Sequence, residues 1–161
     1  MSRLRHRGWV VPVCLLVALL LGLAPLPAGL QPLRPFWVAL IVAYVVIEMP
    51  DRIGIGRAFL LGLVADLFYG ALLGEHALRL VVLVWLLQHF RARLRFFPPL
   101  QQAMAIAALL FNDRLVAAAL HLVLGQPPLA LAWWASPLVG MALWPVVFVL
   151  VDRLRHGRRS R

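Results

Sequence analysis

The chain has 161 residues, of which 63% are hydrophobic, and its mean hydropathy is +0.90. A soluble domain averages roughly 45–50% apolar residues, so the composition excludes an ordinary soluble protein and predicts an integral membrane protein with long apolar runs. The net charge is +10, and all 16 basic residues are arginine. Because these arginines cluster between apolar runs, we expect them to set membrane topology rather than to bind nucleic acid.

The N-terminal segment resembles a signal peptide, because Arg3, Arg5 and Arg7 precede an apolar run that ends in small residues. The run is about 18 residues long, whereas the apolar region of a signal peptide usually has about 7–15 residues. We therefore predict an uncleaved first membrane span. Cys14 lies in this run and is the single cysteine of the chain, which excludes an internal disulfide.

Six apolar segments are predicted to be the membrane-spanning helices of one compact all-α bundle, at about residues 9–26, 36–49, 53–73, 77–90, 100–124 and 129–151. The loops between them are short, so the whole chain is predicted to be a single membrane domain. The second and fourth segments, with about 14 residues, reach about 21 Å, whereas the hydrocarbon core is about 30 Å thick. We expect flanking residues or local bilayer thinning to accommodate them.

The distribution of arginine favours six spans with both termini in the cytoplasm. Most arginines then lie on the inner side, in the N-terminal segment, the loop with Arg52 and Arg57, the basic loop at residues 91–95 and the tail at 153–161. Omitting one short span would place arginine-rich termini on opposite faces, against the positive-inside rule. The basic loop and tail are expected to contact anionic lipid, at about 1 kcal/mol per arginine, or an acidic cytoplasmic partner.

Asp66 lies in the middle of the apolar stretch GLVADLFYGALLG, residues 62–74. An aspartate at the centre of a span costs about 2.5–3.5 kcal/mol on insertion scales. Residues four apart share a helix face, and steps of four from Asp66 reach Gly62, Gly70 and Gly74. We call this face the glycine seam and expect it to contact protein, because small residues allow close backbone approach. It is predicted to be a helix-packing surface or a surface for another protein, with a proton or ion relay as the sharper alternative.

A buried carboxylate requires a partner. Arg79 is predicted just inside the outer end of the fourth span and Arg114 about 15 Å below the outer end of the fifth, whereas Asp66 is about 10 Å below the outer end of the third. Either side chain is long enough to reach Asp66. Asp113 adjoins Arg114, but neighbouring helical residues diverge by about 100°, so these two should not pair with each other. We therefore predict a polar cluster of Asp66, Asp113 and Arg114, with Arg79 as a further member, between the third, fourth and fifth spans. The alternative is that Asp66 is protonated.

The chain lacks the residue patterns of common catalytic and metal sites. It contains no His-Glu-x-x-His zinc motif and no serine, histidine and aspartate set in plausible reach of one another. Asp66 and Asp113 do not form the matched pair that an intramembrane protease needs. Glu75 and His76 fall in a tight outer turn and are predicted to be exposed, with no role. We therefore expect no enzyme activity, no cofactor and no metal.

Several short motifs occur in an order that resembles one protein family. RPFW at residues 34–37 is followed by Tyr44, by PDRIGIG at 50–56 and by the glycine seam, and then by QQA at 101–103, an aspartate in the fifth segment and WPVVF at 144–148. Over nearly the whole chain, this order and the chain length resemble the rod shape-determining protein MreD family of Gram-negative bacteria.

The resemblance implies a six-span inner-membrane component of the cell-elongation machinery. Its implied partners are the bitopic protein MreC, the actin-like MreB filament, and the peptidoglycan synthases RodA and its transpeptidase, a class B penicillin-binding protein. It also implies a fold similar to the substrate-binding subunits of vitamin transporters. Carried over by position, the family's acidic-glycine motif, inner loop and last span fall on Asp66, Gly70 and Gly74, on Pro50 and Arg52, and on Trp144 and Pro145. Arg114 beside Asp113 departs from the family pattern.

The competing hypothesis is a substrate-capturing subunit of a vitamin-type transporter. It requires a polar, aromatic-lined cavity that opens outward, built from residues such as Trp37, Trp133, His121 and Arg79. The predicted outer loops are short and nearly uncharged, which offers little ligand chemistry. A proton channel is a third hypothesis, but the chain lacks a continuous polar stripe.

Overall fold

A computed structural model describes residues 8–156 of the chain. The backbone forms α1 (Val10–Leu23), α2 (Trp37–Glu48), α3 (Ile55–Tyr69), α4 (Glu75–Leu94), α5 (Pro99–Val123) and α6 (Ser136–His156). Two short 3-10 helices, Ala28–Leu33 and Leu131–Ala135, precede α2 and α6. The predicted all-α class is confirmed over this range. The predictions for Arg3, Arg5, Arg7 and the end of the basic tail, residues 157–161, lie outside the described residues.

The second helix, α2, is the centre of the bundle. All of its residues from 38 to 47 are buried, and α1, α4 and α6 pack around it. A helix that is apolar on every side is typical of a protein core or a membrane span, and Tyr44 and Glu48 are the two polar positions of α2. The third helix, α3, packs chiefly on α4 and lies at the edge of the bundle.

Successive helices run in opposite directions. The ends of α2, α4 and α6 therefore lie at one end of the bundle, and their starts lie at the other. At the end that we call the lower end, Glu48 of α2 lies 3.8 Å from Arg155 of α6. There Arg91 of α4 also donates a hydrogen bond to the carbonyl of Ile47, at 3.1 Å. The opposite, upper end holds the turn between α3 and α4 and the two 3-10 helices, which contact each other.

The first helix ends at Leu23 and not at residue 26, and the sixth runs from Ser136 to His156 and not over residues 129–151. The third and fourth helices also differ in length from the predicted spans. The third ends at Tyr69, not at residue 73, because Gly70 adopts a left-handed conformation with φ of 61°, which terminates an α-helix. The fourth extends beyond the predicted residues 77–90, from Glu75 to Leu94. An acidic residue in its first turn and two arginines in its last turn match the helix dipole and favour the longer helix.

Three stretches of the described chain are long and apolar enough to cross a membrane, namely Ala28–Glu48, Pro99–Val123 and Leu131–His156. The helix Val10–Leu23 is apolar but shorter. Large apolar side chains are exposed on the outer faces of the helices, for example Leu16, Leu20, Phe59, Leu67, Leu115 and Val146. Such a surface is typical of a membrane protein, while six crossings remain a prediction.

Candidate functional site

Asp66, in the last turn of α3, is 1% exposed and is bonded to the start of α4. Its Oδ2 accepts a hydrogen bond from the backbone N–H of Gly74 at 2.7 Å, and its Oδ1 accepts one from the N–H of His76 at 2.8 Å. The Nδ1 atom of His76 lies 2.8 Å from the same Oδ1. The first N–H groups of a helix have no partner within it, and an anion there is stabilised by the helix dipole. The carboxylate therefore caps α4.

Arg79 of α4 pairs with Asp113 of α5. Its Nε donates to Oδ1 of Asp113 at 2.9 Å and its Nη2 donates to Oδ2, so the planar guanidinium makes a two-pronged ion pair. Glu75 lies 3.5 Å from Nη1 of the same arginine, and the ring centre of Phe36 lies 4.7 Å from its Cζ. Within residues 8–156, no arginine lies at ion-pair distance from Asp66, so the predicted arginine partner of this carboxylate is wrong.

Arg114 follows Asp113 on α5 but contacts α6. Its Nη2 donates a hydrogen bond to the hydroxyl of Ser136 at 2.9 Å, and that hydroxyl donates to the backbone carbonyl of Arg34 at 2.8 Å. Its Cζ also lies 5.8 Å from the ring centre of Trp133. The predicted polar cluster is therefore divided among separate partners, because side chains adjacent on a helix point in different directions.

The glycines of the glycine seam have different roles, so the predicted continuous helix face is wrong. Gly62 lies inside α3, and a Cβ there would overlap the backbone of His76 and Ala77. Because glycine has no Cβ, α3 and α4 can pack closely at this point. Gly70 and Gly74 lie beyond α3, with φ of 61° and 101°, which glycine adopts readily. A Cβ at either position would meet open space. These two glycines shape the turn rather than pack helices.

Pro50 and Arg52 lie in the turn between α2 and α3, at the lower end. The proline is half-buried, whereas the arginine side chain is exposed. Arg57 donates hydrogen bonds to the carbonyls of Arg52 and Asp51, at 2.6 and 3.2 Å, and so holds this basic turn in place. The structure does not bring the turn together with the Asp66 site, because the two lie at opposite ends of α3.

Trp144 of α6 is 1% exposed, and its Nε1 donates a hydrogen bond to Oε1 of Gln102 at 3.0 Å. The amide of Gln102 in turn donates to the carbonyl of Leu94 at 3.1 Å. One buried chain of hydrogen bonds therefore joins α6, α5 and the end of α4. Pro145 is exposed within α6, where it lacks the N–H group that a helix interior normally uses.

A cavity of about 400 Å³, which we call the upper cavity, lies at the upper end of the bundle. Trp37, Trp133, His121 and Arg79 are among its lining residues, and these four are the ones that the transporter hypothesis required. The expectation of little ligand chemistry considered the loops alone, whereas Arg79 and Arg114 bring charge to this end from the helices. No group of three or more His, Cys, Asp or Glu side chains in the described range could hold a metal ion.

Residues of these networks to which the sequence assigned no role include Glu75, His76, Ser136 and Gln102. Both Glu75 and His76 are largely buried, so the prediction that they are exposed is wrong. Glu75 precedes Arg79 by four residues, which is a helix ion-pair spacing, and Ser136 before an apolar run is typical of a helix start. No comparable signal marks His76 or Gln102, since their partners are set by the helix that lies opposite.

Two comparisons with known proteins bear on the family. The family model described as rod shape-determining protein MreD matches residues 5–154. The rod shape-determining protein MreD of Haemophilus influenzae is 35% identical over 143 residues, which cover 87% of this chain and 86% of that protein. The chain belongs to the MreD family. No solved structure is significantly similar to it.

Membership in the MreD family confirms the resemblance seen in the motifs. MreD proteins are rod shape-determining structural components and are not known enzymes, in agreement with the expectation of no enzyme activity. Membership places this chain in the rod-shape system in general, and the three long apolar stretches indicate a membrane protein. In this MreD chain, the acidic-glycine motif forms the capped turn between α3 and α4.

Proposed function

We propose that this chain is a non-catalytic inner-membrane component of the cell-elongation complex. In this role it helps couple the MreB filament and MreC to the peptidoglycan synthases, RodA and its class B penicillin-binding protein partner, and so maintains rod shape. The observation that carries the proposal is the match to the MreD family over residues 5–154. Most of the described residues are in helices, joined by short loops, so the proposed partners meet helix faces or the ends of the bundle.

The proposed topology is a single domain of six spans with both termini in the cytoplasm. It is supported by the alternating direction of the helices and by the position of charge. The arginines with exposed side chains all lie at the lower end, namely Arg52, Arg57, Arg93, Arg95 and Arg153 in the described range. The arginines of the upper end are buried or half-buried. By the positive-inside rule, the lower end is then cytoplasmic.

The exposed faces of α1 and α3 support an interaction role. Leu16 and Leu20 of α1 and Phe59 and Leu67 of α3 are large apolar side chains at the surface. In a bilayer such a face contacts acyl chains or the span of another protein, and the single span of MreC is the proposed occupant. The basic lower rim is proposed to meet anionic lipid or an acidic cytoplasmic partner.

Depletion and replacement in a rod-shaped Gram-negative host test this proposal. Cells that lose their own MreD and receive this chain should remain rods, whereas cells that receive an empty vector should round up. Nutrient uptake should be equal in both, and tagged chain should retrieve MreC from membranes solubilised in mild detergent. Rods maintained without any MreD, or retrieval of none of the proposed partners by a complementing chain, would contradict the proposal.

One observation favours a second candidate function, a substrate-binding subunit of a vitamin-type transporter. The upper cavity has the polar, aromatic lining that such a subunit requires, with Trp37, Trp133, His121 and Arg79. This candidate predicts tight binding of a small vitamin by the purified chain. It also predicts that depletion causes a nutrient requirement without rounding, which separates it from the shape function in the same experiment.

A further inference from the structure

Two arginines line the upper cavity without an ion-pair partner among residues 8–156. Arg114 is 8% exposed, and its hydrogen bond goes to the neutral hydroxyl of Ser136. Arg34 donates to the backbone carbonyls of Gly22 and Ala24 at the end of α1, and its Nε is buried with no acceptor in the described range. Guanidinium groups out of water are stabilised by an anion, so an anionic ligand in the cavity would compensate both positive charges. Arg114 also retains N–H donors beyond the one bonded to Ser136.

The acidic groups at the cavity and beside it already have partners, including Glu75, which itself lines the cavity. Asp113, which precedes Arg114 on α5, receives both hydrogen bonds of Arg79. Glu75 lies 3.5 Å from the same arginine, and Asp66 accepts the N–H groups that begin α4. Negative charge is therefore concentrated around Arg79 and the start of α4. The guanidinium of Arg114 is left beside a hydroxyl and an indole ring.

We propose that the upper cavity binds one anionic group, a phosphate or a carboxylate, carried by a molecule that also has an apolar part. Arg114 is the main ligand, because its planar guanidinium matches two oxygens of such a group at once. The guanidinium of Arg34, which also lines the cavity, adds a second positive charge. A lipid headgroup and a soluble amphipathic anion share this chemistry, and both fit a site of this kind.

The walls of the cavity fit the apolar part of such a molecule. Trp37 at the start of α2 and Trp133 in the second 3-10 helix bring two indole rings, and Leu23 and Leu129 bring aliphatic side chains. Ligand sites in proteins have volumes of about 300–1,000 Å³ and combine an apolar lining with a few polar groups. The volume of about 400 Å³ suits a headgroup with a short apolar segment and is too small for a macromolecule.

Equilibrium binding to the full chain, purified in non-ionic detergent, tests the proposal apart from any role in cell shape. The probe is dihexanoyl phosphatidic acid, and the control is zwitterionic dihexanoyl phosphatidylcholine. We expect saturable binding of the phosphatidic acid alone. Arg114→Gln should weaken this binding at least tenfold, whereas Arg57→Gln, which removes the same charge at the lower end, should leave it unchanged.

A second variant keeps the test decisive if Arg114→Gln fails to fold. Leu129→Trp fills the cavity from the loop before the second 3-10 helix and leaves every charge in place, so it should also weaken binding at least tenfold. Phenyl phosphate that competes with the lipid would support a soluble amphipathic anion as the natural ligand, and failure to compete would support a lipid headgroup. Equal binding of the two lipids, or unchanged binding by folded Leu129→Trp protein, would overturn the proposal.

Discussion

Arg79 of α4 and Asp113 of α5 form a two-pronged ion pair that is almost fully removed from solvent, with side-chain exposures of 5% and 1%. Such a pair contributes little net stability compared with well-packed apolar residues, but the loss of one partner leaves an uncompensated buried charge. The pair joins neighbouring helices at the depth of the upper cavity. We expect it to determine how α4 and α5 face each other.

This ion pair predicts strongly non-additive effects of substitution. Arg79→Met and Asp113→Leu should each destabilise the chain by about 3–5 kcal/mol, because each leaves one buried charge unpaired. The double variant should lose clearly less than the sum. Unfolding in mixed micelles and the steady-state level in membranes measure the effects. Arg93→Met, at an exposed arginine in the last turn of the same α4, is the control and should cost at most about 1 kcal/mol. Strictly additive losses would show that Arg79 and Asp113 do not interact.

The cap on α4 predicts the effect of removing the charge of Asp66. Asp66→Asn replaces two acceptor oxygens by one, so one of the N–H groups of Gly74 and His76 loses its partner. An unsatisfied buried donor costs about 1–3 kcal/mol, and the same variant loses the favourable interaction with the helix dipole. Asp51→Asn in the exposed turn before α3 is the matched control, expected to be neutral. Equal unfolding midpoints for the two variants would be incompatible with the cap.

The close approach of α3 and α4 predicts opposite outcomes for two glycines of the same helix. Gly62→Ala should destabilise by about 1–3 kcal/mol, because the new methyl group overlaps the backbone of Ala77 and forces the helices apart. Gly56→Ala adds a methyl group in open space and should be neutral or slightly stabilising, since alanine loses less backbone entropy on folding. Comparison of the two unfolding midpoints is the measurement, and a harmless Gly62→Ala would disprove the tight contact.

The turn after α3 predicts that the left-handed backbone conformation, and not the size of the side chain, limits which residues are tolerated at position 70. Gly70→Asn should be tolerated, because asparagine visits the left-handed region and a Cβ there meets open space. Gly70→Val should be poorly tolerated, because a β-branched residue at φ of 61° is strained. Membrane level and rod-shape complementation measure both. A packing role for Gly70 would instead make asparagine as harmful as valine.

The proposed topology predicts which cysteines an impermeant reagent reaches. In a Cys14→Ser background, Gln126→Cys at the upper end should react with an impermeant maleimide in intact spheroplasts. Phe97→Cys, in the loop between α4 and α5 at the lower end, should react only after permeabilisation. Both side chains are exposed, so access to the reagent depends on the side of the membrane. Labelling of both residues in intact spheroplasts would rule out the six-span topology with cytoplasmic termini.

Local features of the sequence were sufficient to predict the all-helical fold class and the protein family. Apolar runs separated by proline, glycine and arginine indicated six helices, because helix formation and burial of apolar groups depend on composition over 10–25 residues. The order of short motifs indicated MreD. The cost of a charge in an apolar segment also indicated that Asp66 contacts polar groups of the protein, and it does so at Gly74 and His76.

The partners of the buried charges could not be predicted in the same way. The expectation that Asp66 meets an arginine and that Gly70 continues a helix face assumed an unbroken α3 up to residue 73. The left-handed residue at position 70 ends the helix early, and the chain returns so that the first turn of α4 lies against Asp66. The early end of α3 therefore changed the partners of Asp66, because it brings the backbone N–H groups of Gly74 and His76 within hydrogen-bond distance of the carboxylate.

The amino-acid sequence by itself determined that this is a helical membrane protein of the MreD family with charges that must be buried in protein. Only the tertiary structure decided that Arg79 pairs with Asp113 and that Arg114 has a neutral partner. It also decided that the two arginines line one cavity. The physical reason is the distance along the chain over which each effect depends on sequence. Hydropathy and helix propensity are set by residues that are close together in the sequence. Ion pairs and cavities instead depend on the relative rotation and depth of helices that are far apart in sequence.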